Sequence, residues 1–223
     1  MKYLTILISL LSLRLLGQSS FTNNIVLGIP DGNPVGIVEQ LNVSGLIGTV
    51  NDVTVQLDIT GGFNGDLYAY LVDPEGHQAV LLNRVGLSGS NPFGYSDSGF
   101  NITLAAVGND VHSYQGFSPT YSGGQLTGTW AADGRNIDPQ SAGSLFDTTS
   151  PTTGLAIYNG LDGGGLNGTW TLFVADSVPG GGNATFQNAV LSIMTVPEPQ
   201  TLTLSLIGGA LMWVIIRRRV SSP

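Results

Sequence analysis

The stretch Val53-Thr54-Val55-Gln56-Leu57-Asp58-Ile59-Thr60 decides the fold class of this chain. Apolar and polar residues alternate strictly along it, so an extended backbone places the aliphatic side chains on one face and the polar ones on the other. A period of two residues is that of a β-strand with one buried face. We therefore predict a half-buried strand over residues 53–60, which needs partner strands on either side.

The sequence that follows residue 60 predicts a β-hairpin. Residues 66–72 alternate again and form the first strand of the hairpin. Asp73-Pro74-Glu75-Gly76 has the proline and the glycine of a tight turn. Residues 78–82 then return as the second strand.

Short apolar runs separated by turn residues continue to residue 195. Large side chains occupy both faces of residues 170–174, which indicates an interior strand. Residues 107–165 are rich in Gly, Ser, Asn and Pro and are predicted to form long surface loops. No stretch shows a helical period, so the sequence predicts an all-β fold, namely an antiparallel β-sandwich or jelly roll. The further strands are predicted at residues 35–43, 99–105, 126–130, 170–175 and 186–195.

Residues 1–19 have the pattern of a signal peptide. Lys2 precedes an apolar run over residues 3–16, and Gly17-Gln18-Ser19-Ser20 supplies the small residues that a signal peptidase needs. We expect cleavage after Gly17 or Ser19. The alternative is a membrane-spanning anchor, but the run is short for a bilayer core of about 30 Å.

The net charge of residues 20–195 excludes some classes of binding partner. Residues 20–195 contain 14 acidic side chains and only two basic ones, Arg84 and Arg135, which gives a net charge near −12. Such a surface repels nucleic acid and anionic lipid and attracts cations. The chain has no cysteine, so disulfides and thiolate chemistry are absent. Residues 20–195 are long enough for one domain with its own core.

Two ordered motifs resemble the P domain (Homo B domain) of proprotein convertases. The first comprises Gly65-Asp66-Leu67, Leu71-Val72-Asp73-Pro74-Glu75-Gly76-His77 and Leu81-Leu82. The second is Leu166-Asn167-Gly168-Thr169-Trp170-Thr171-Leu172-Phe173-Val174-Ala175-Asp176. The resemblance covers residues 30–195 and implies a jelly-roll β-sandwich. In the convertases the P domain stabilises an adjacent subtilisin-like protease. The chain departs from the family at Ala189, where the last strand usually carries a tryptophan.

The sequence predicts a protein that is not an enzyme. It lacks the spaced Asp, His and Ser motifs of a Ser-His-Asp site. Asp97-Ser98-Gly99 matches a protease string over three residues only, and these residues also form turns. The two histidines, His77 and His112, are predicted to be solvated loop residues. A hydrolase with two carboxylates, such as a glycosidase, remains an alternative.

Calcium is the one cofactor that the composition favours. Hard cations bind carboxylate and carbonyl oxygens, and residues 20–195 are rich in such oxygens and poor in Lys and Arg. The resemblance adds weight, since bacterial P domains carry calcium in loops. For each candidate ligand the alternative is an aspartate that only forms a turn. The candidates are Asp66, Asp97, Asp133 and Asp176.

Residues 196–223 resemble a PEP-CTERM sorting signal. Val196-Pro197-Glu198-Pro199 ends the last strand, because proline removes ladder donors. Residues 201–216 are predicted to form a short transmembrane helix, and Arg217-Arg218-Arg219 follows it on the cytoplasmic side. The resemblance implies a Gram-negative-type bacterium, recognition by an exosortase, and passage from an inner-membrane intermediate to the cell surface or the exopolysaccharide matrix. The alternative is an ordinary tail anchor that stays in the membrane.

These patterns predict an exported, non-catalytic β-sandwich module with a structural or adhesive role, processed by signal peptidase and exosortase. Two alternatives stay open. A carbohydrate-binding module would use the loop aromatics Tyr114, Phe117 and Tyr121 as its platform, although loop packing also explains them. A stabilising partner domain of a separately encoded protease would agree with the P-domain resemblance.

Overall fold

A computed structural model describes residues 17–196 and Gly208. Within residues 17–196 the chain forms eleven β-strands in two sheets, which confirms the all-β prediction. The strands are β1 (Gly17–Asn23), β2 (Leu27–Ile29), β3 (Asn33–Val43), β4 (Thr49–Gly61), β5 (Leu67–Val72), β6 (Gln78–Asn83), β7 (Gly99–Asp110), β8 (Thr120–Ser122), β9 (Gln125–Ala131), β10 (Gly168–Asp176) and β11 (Ala184–Val196).

The larger sheet is built around β4, which contains the alternating stretch at residues 53–60. Its strand order is β1-β11-β4-β7-β9-β8, and β2 also pairs with β11. The four aliphatic residues of the stretch are fully buried, as the period of two predicts. Most neighbours are antiparallel, but β7 and β9 run parallel. Residues 111–124 make this possible, because they cross over through a 3-10 helix and β8 before β9 begins.

The smaller sheet has the strand order β3-β10-β5-β6. β5 and β6 form the predicted hairpin, and its turn is closed by the N–H of Gly76, which donates to the carbonyl of Asp73 at 3.1 Å. β10 pairs with β3 on one side and β5 on the other, which confirms its interior position. Its inward side chains Trp170, Leu172 and Val174 are fully buried.

Both sheets contribute to one core, whose largest rings have their polar atoms satisfied. Nε1 of Trp170 donates to the carbonyl of Leu166 at 2.9 Å, and Oη of Tyr158 donates to the carbonyl of Leu71 at 2.8 Å. Burial of these aromatic rings is therefore not opposed by unpaired donors. Ala189 is also fully buried, in β11 between β1 and β4.

The prediction of long surface loops over residues 107–165 is wrong in part. Besides β8 and β9, this region forms the α-helix α1 (Gly143–Thr148) and the 3-10 helices Val111–Phe117 and Gly154–Tyr158. Helices this short contain too few turns to show a period in the sequence. Several of its residues nevertheless join the interior, among them Val111, Tyr114, Phe146, Leu155 and Tyr158.

The N-terminal boundary of the described residues lies within the predicted signal peptide. Residues 1–16 fall outside the described part, whereas residues 17–19 belong to β1 and pair with residues 193–195 of β11. Cleavage after Gly17 would keep nearly all of β1. Cleavage after Ser19 would keep its last four pairs with β11.

The C-terminal sorting signal lies almost entirely outside the described residues. Val196 ends β11, while Pro197-Glu198-Pro199 and Arg217-Arg218-Arg219 are not described, nor are residues 201–216 apart from Gly208. The helices that the structure describes are all too short or too polar to cross a membrane.

Candidate functional site

Asp97 lies where β7 begins, at one end of the two sheets, and is surrounded by tyrosines. Its Oδ2 accepts one hydrogen bond from Oη of Tyr114 at 2.7 Å and another from Nε2 of Gln115 at 2.8 Å. Tyr95 packs edge-on against Tyr114, with ring centroids 4.7 Å apart. Burial, and then the charge of Asp97, raises the pKa of Tyr121 to about 12. We call these five residues the Asp97 cluster.

The Asp97 cluster joins residues that the sequence assigned to two different sites. Asp97 was a calcium candidate, whereas Tyr114, Phe117 and Tyr121 were candidates for a glycan platform. The structure corrects the role of Tyr114, which is fully buried and supports Asp97 from the interior instead of facing a ligand. Phe117 and Tyr121 remain 45% and 44% exposed and so can contact a ligand.

A second candidate site covers the outer face of the smaller sheet. Phe173 of β10 stacks on Tyr70 of β5, with ring centroids 4.7 Å apart and ring planes 16° apart. Tyr68 packs edge-on against Phe173 at 6.2 Å. Val38 of β3 is in register with Phe173 and is 55% exposed. We call Val38, Tyr68, Tyr70 and Phe173 the aromatic face.

The described side chains around the aromatic face are uncharged, and the carboxylate of Asp138 lies at its border. Burial raises the pKa of Tyr68 to about 12, and the nearby Tyr70 and Asp138 add to this effect. Asp138 is exposed, so the border beside Tyr68 is acidic. The strand register places these neutral side chains on the same face: Gln40, Asn42, Val72, Gln78, Thr169 and Thr171.

Asp66 and Asp176 lie close together with Arg84. Burial, and then the charge of Asp176, raises the pKa of Asp66 to about 6, while Arg84 opposes this rise. Burial also raises the pKa of Asp176. Oδ1 of Asp176 accepts from the backbone N–H of Val178 at 3.2 Å. Among the described residues, Oδ2 of Asp176 and Oγ of Ser177 are buried without a hydrogen-bond partner.

Asp133 belongs to a largely buried polar network. Its Oδ2 accepts from the N–H of Asn83 at 3.1 Å and lies 2.9 Å from Nδ1 of His112. Its Oδ1 pairs with Nη1 of Arg135 at 3.0 Å, and Nη2 of the same guanidinium pairs with Asp110 at 2.8 Å. Each carboxylate oxygen of Asp133 therefore has a protein partner, which leaves little capacity for a metal ion.

The two histidines differ in their surroundings. His77 is half-exposed, and its Nδ1 lies 2.7 Å from Oδ2 of Asp73. The prediction that His112 is solvated is wrong, since His112 is buried and its Nε2 lies 3.1 Å from the carbonyl of Leu87. With Asp133 on the other ring nitrogen, His112 has both nitrogens engaged and none free to activate a nucleophile.

The four calcium candidates differ in how many of their carboxylate oxygens are left without a protein partner. Asp133 has no free oxygen, and Asp97 has one oxygen occupied by two donors. The orphaned Oδ2 of Asp176 fits a hard cation, for which Asp66 and Asp176 would be the carboxylate ligands. Within the described part of the chain, no group of three or more His, Cys, Asp and Glu side chains could hold a metal. The remaining ligands would therefore be carbonyls or water.

Comparison with known proteins found no matching family profile and no matching curated protein. Two solved structures that contain a serine protease of Aeromonas sobria match this chain weakly. The complex of that protease with its chaperone has 16% identity and a TM-score of 0.44, and the protease structure has 15% and 0.42. Each match covers 82% of this chain and 28% of the other, so this chain spans less than a third of the matched chains.

Proposed function

We propose that the chain is an exported, non-catalytic binding module with a structural role, which docks on a protein partner through the aromatic face. The observation that carries this proposal is the row Val38–Phe173–Tyr70, which crosses three neighbouring strands on the outer face of the smaller sheet. Val38 is exposed and the three rings beside it are half-buried, so the four side chains form an apolar surface that a partner can reach. Apolar surfaces of this kind mark interaction sites when they are large enough. The tight stacking of Phe173 on Tyr70 also makes the surface rigid, so binding costs little side-chain entropy.

Charge defines the kind of partner. The centre of the aromatic face is neutral, whereas residues 20–195 carry a net charge near −12 and the border beside Tyr68 is acidic. A complementary partner therefore has an apolar patch rimmed by lysine or arginine. Charges arranged in this way accelerate association and exclude partners of like charge.

The partner that we favour is an exported subtilisin-like protease encoded separately from this chain. The support is the resemblance of residues 65–82 and 166–176 to the P domain, a domain that stabilises such a protease. Export is supported by the signal-peptide pattern at residues 1–19 and by the PEP-CTERM pattern at residues 196–223. The same patterns support delivery to the cell surface or exopolysaccharide matrix.

The test compares two aspartate substitutions with matched side chains. Val38→Asp places a charge in the aromatic face, while Val107→Asp places one at an 80% exposed position of β7, in the other sheet. The full chain and both variants are titrated calorimetrically with each exported subtilisin-like protease of the source organism, inactivated at its nucleophile. We expect Val38→Asp to weaken the affinity at least about tenfold, as for a central interface residue, and Val107→Asp to leave it unchanged.

The two parts of the proposal fail separately in this experiment. Absence of binding to all of these proteases would reject the protease as partner. Equal affinities for the wild type and Val38→Asp would reject the aromatic face as the docking surface, even if a protease binds.

A further inference from the structure

The Asp97 cluster is a rigid and partly open polar site that the aromatic face does not include. Residues 64 and 65 fix the backbone on both sides of Asp97. The N–H of Gly65 donates to the carbonyl of Tyr95 at 2.8 Å, the N–H of Asn64 donates to that of Asp97 at 2.9 Å, and Oδ1 of Asn64 accepts from the N–H of Gly99 at 2.8 Å. Gly65 allows close contact, since a Cβ there would lie 2.7 Å from the backbone nitrogen of Tyr95. The Asp97 carboxylate is therefore held in one position.

Two oxygen acceptors are left available on this rigid base. Tyr114 and Gln115 both donate to Oδ2 of Asp97 and so leave Oδ1 clear of these two donors, while the phenol of Tyr121 also approaches the carboxylate. Gln115 uses its Nε2 for that bond, which orients the amide and leaves Oε1 for another donor. Gln115 is exposed and Asp97 is half-exposed, so both side chains lie at the surface.

Tyr121 adds an aromatic surface beside the two acceptors. Its side chain is 44% exposed. Besides burial, the charge of Asp97 and a hydrogen bond to it raise the pKa of Tyr121, so the phenol lies against this carboxylate and the ring is the part of the side chain left for a ligand. The site thus combines a few fixed polar groups with an aromatic ring, the usual composition of a small-molecule or saccharide subsite.

We propose that Asp97, Gln115 and Tyr121 bind a neutral polysaccharide. Neighbouring hydroxyl groups of a sugar ring can donate to Oδ1 of Asp97 and Oε1 of Gln115, and the bond to the carboxylate is strengthened by its charge. The apolar face of the same sugar ring can pack on the ring of Tyr121. This site would hold the module in a polysaccharide matrix while the aromatic face binds its protein partner.

The charges of the domain argue against charged ligands. An anionic polymer would be repelled by Asp97 and by a domain of net charge near −12. A cation needs several oxygen ligands, but one oxygen of Asp97 is already occupied by Tyr114 and Gln115. In the residues that the structure describes, no cluster of three or more acidic or histidine side chains stands here.

Affinity electrophoresis of the full chain tests the proposal on gels that contain one polysaccharide each. The neutral probes are dextran, xylan, galactomannan and mixed-linkage β-glucan; polygalacturonate and chitosan serve as anionic and cationic probes. We expect at least one neutral polymer to retard the chain. Gln115→Ala and Tyr121→Ala should each weaken that binding about tenfold, a typical effect of losing one central contact.

Matched controls distinguish a local effect from a loss of folding. Gln40→Ala removes an exposed amide from β3, and Leu145→Ala removes a side chain that is 45% exposed in α1. Both should bind like the wild type, and all four variants should keep its melting temperature. The proposal is overturned if no neutral polymer binds, if only chitosan or polygalacturonate binds, or if Gln115→Ala and Tyr121→Ala bind as well as the controls.

Discussion

Phe173 lies against Gly36 so closely that a Cβ on Gly36 would stand 2.9 Å from Cζ of the Phe173 ring. Gly36 also has a φ of 57°, a backbone conformation that side chains disfavour. The missing side chain leaves room for Phe173 to stack on Tyr70 across the next strand pair. The aromatic face therefore depends on a glycine in the edge strand β3.

The substitution Gly36→Ala should lower the free energy of unfolding by about 2 to 4 kcal/mol, because backbone strain and overpacking act together. The new methyl group would also meet Cβ of Ala175 at 2.8 Å, so neither β10 nor the Phe173 ring could stay in place. Urea unfolding of the full chain, followed by tryptophan fluorescence, measures this loss.

Gly45→Ala is the control for backbone strain alone. Gly45 has a φ of 79°, yet nothing lies within 4 Å of its Cβ position. Its substitution should cost about 1 to 2 kcal/mol from the left-handed conformation. If Gly36→Ala is no more destabilising than Gly45→Ala, the close contacts of Gly36 with residues 173–175 of β10 add nothing to the cost of the substitution.

The raised pKa of Asp66 predicts that stability falls as pH rises from about 4 to about 6. In the folded protein this carboxyl has a pKa of about 6 against an ordinary value of 3.8, so the folded state binds a proton that the unfolded state has released. Stability therefore decreases with pH across that window and is constant above it with respect to this group. Thermal melts between pH 4 and pH 8 would show this slope.

The substitution Asp66→Asn should raise the melting temperature at pH 7 and flatten the profile between pH 4 and pH 6, because an amide buries no charge. Arg84 would keep the charge of Asp176 as its partner. Asp52→Asn, which removes a half-exposed carboxylate from β4, controls for the change in net charge. An unchanged pH profile in Asp66→Asn would show that another group causes the slope.

Strand periodicity predicts most of the fold because the order of apolar and polar residues within a strand shows which of its faces is buried. The alternation at residues 53–60 is matched by complete burial of its aliphatic face in β4. Trp170 and Phe173, on opposite faces of one strand, indicate the interior position that β10 occupies. Periodicity does not predict the helix at residues 143–148, because a helix of six residues has fewer than two turns in which to show a period.

The candidate sites depend on contacts between residues far apart in sequence, which periodicity does not reveal. Asp97 and Tyr121 could be singled out separately, but the crossover between β7 and β9 brings them together. Tyr68 and Tyr70 share the face of β5 that points away from the core. The alternating sequence of residues 66–72 predicts this placement. Only the register of β5 with β10 adds Phe173 to them and completes the aromatic face.

Calcium should raise the melting temperature if Asp66 and Asp176 hold it. A ligand that binds only the folded state stabilises it by about 2.7 kcal/mol at a hundredfold excess over its Kd. We expect full-chain melts in millimolar calcium to exceed those in chelator, and Asp176→Asn to abolish the difference, because it removes the orphaned Oδ2. Asp97→Asn should keep the response. Melting temperatures that do not change with calcium would exclude this site.

Binding of calcium at this pair should weaken below about pH 6, because the ion must displace the proton that Asp66 holds there. Calorimetric titrations at pH 5 and pH 7.5 measure this difference. Equal affinities at the two pH values would mean that Asp66 is not a ligand.

Replacement of Pro197-Glu198-Pro199 by three alanines should stop removal of the C-terminal tail and leave the protein in the membrane fraction. The reason is that an exosortase would recognise this motif, whereas the apolar run at residues 201–216 and Arg217-Arg218-Arg219 would still hold the chain in the membrane. Fractionation and mass spectrometry of the C-terminal peptide measure the outcome. Replacement of Ser221-Ser222-Pro223 by alanines is the control, and this variant should be processed normally. Normal tail removal in the Pro197-Glu198-Pro199 variant would contradict exosortase processing, and a tail retained in the wild type would indicate a permanent anchor.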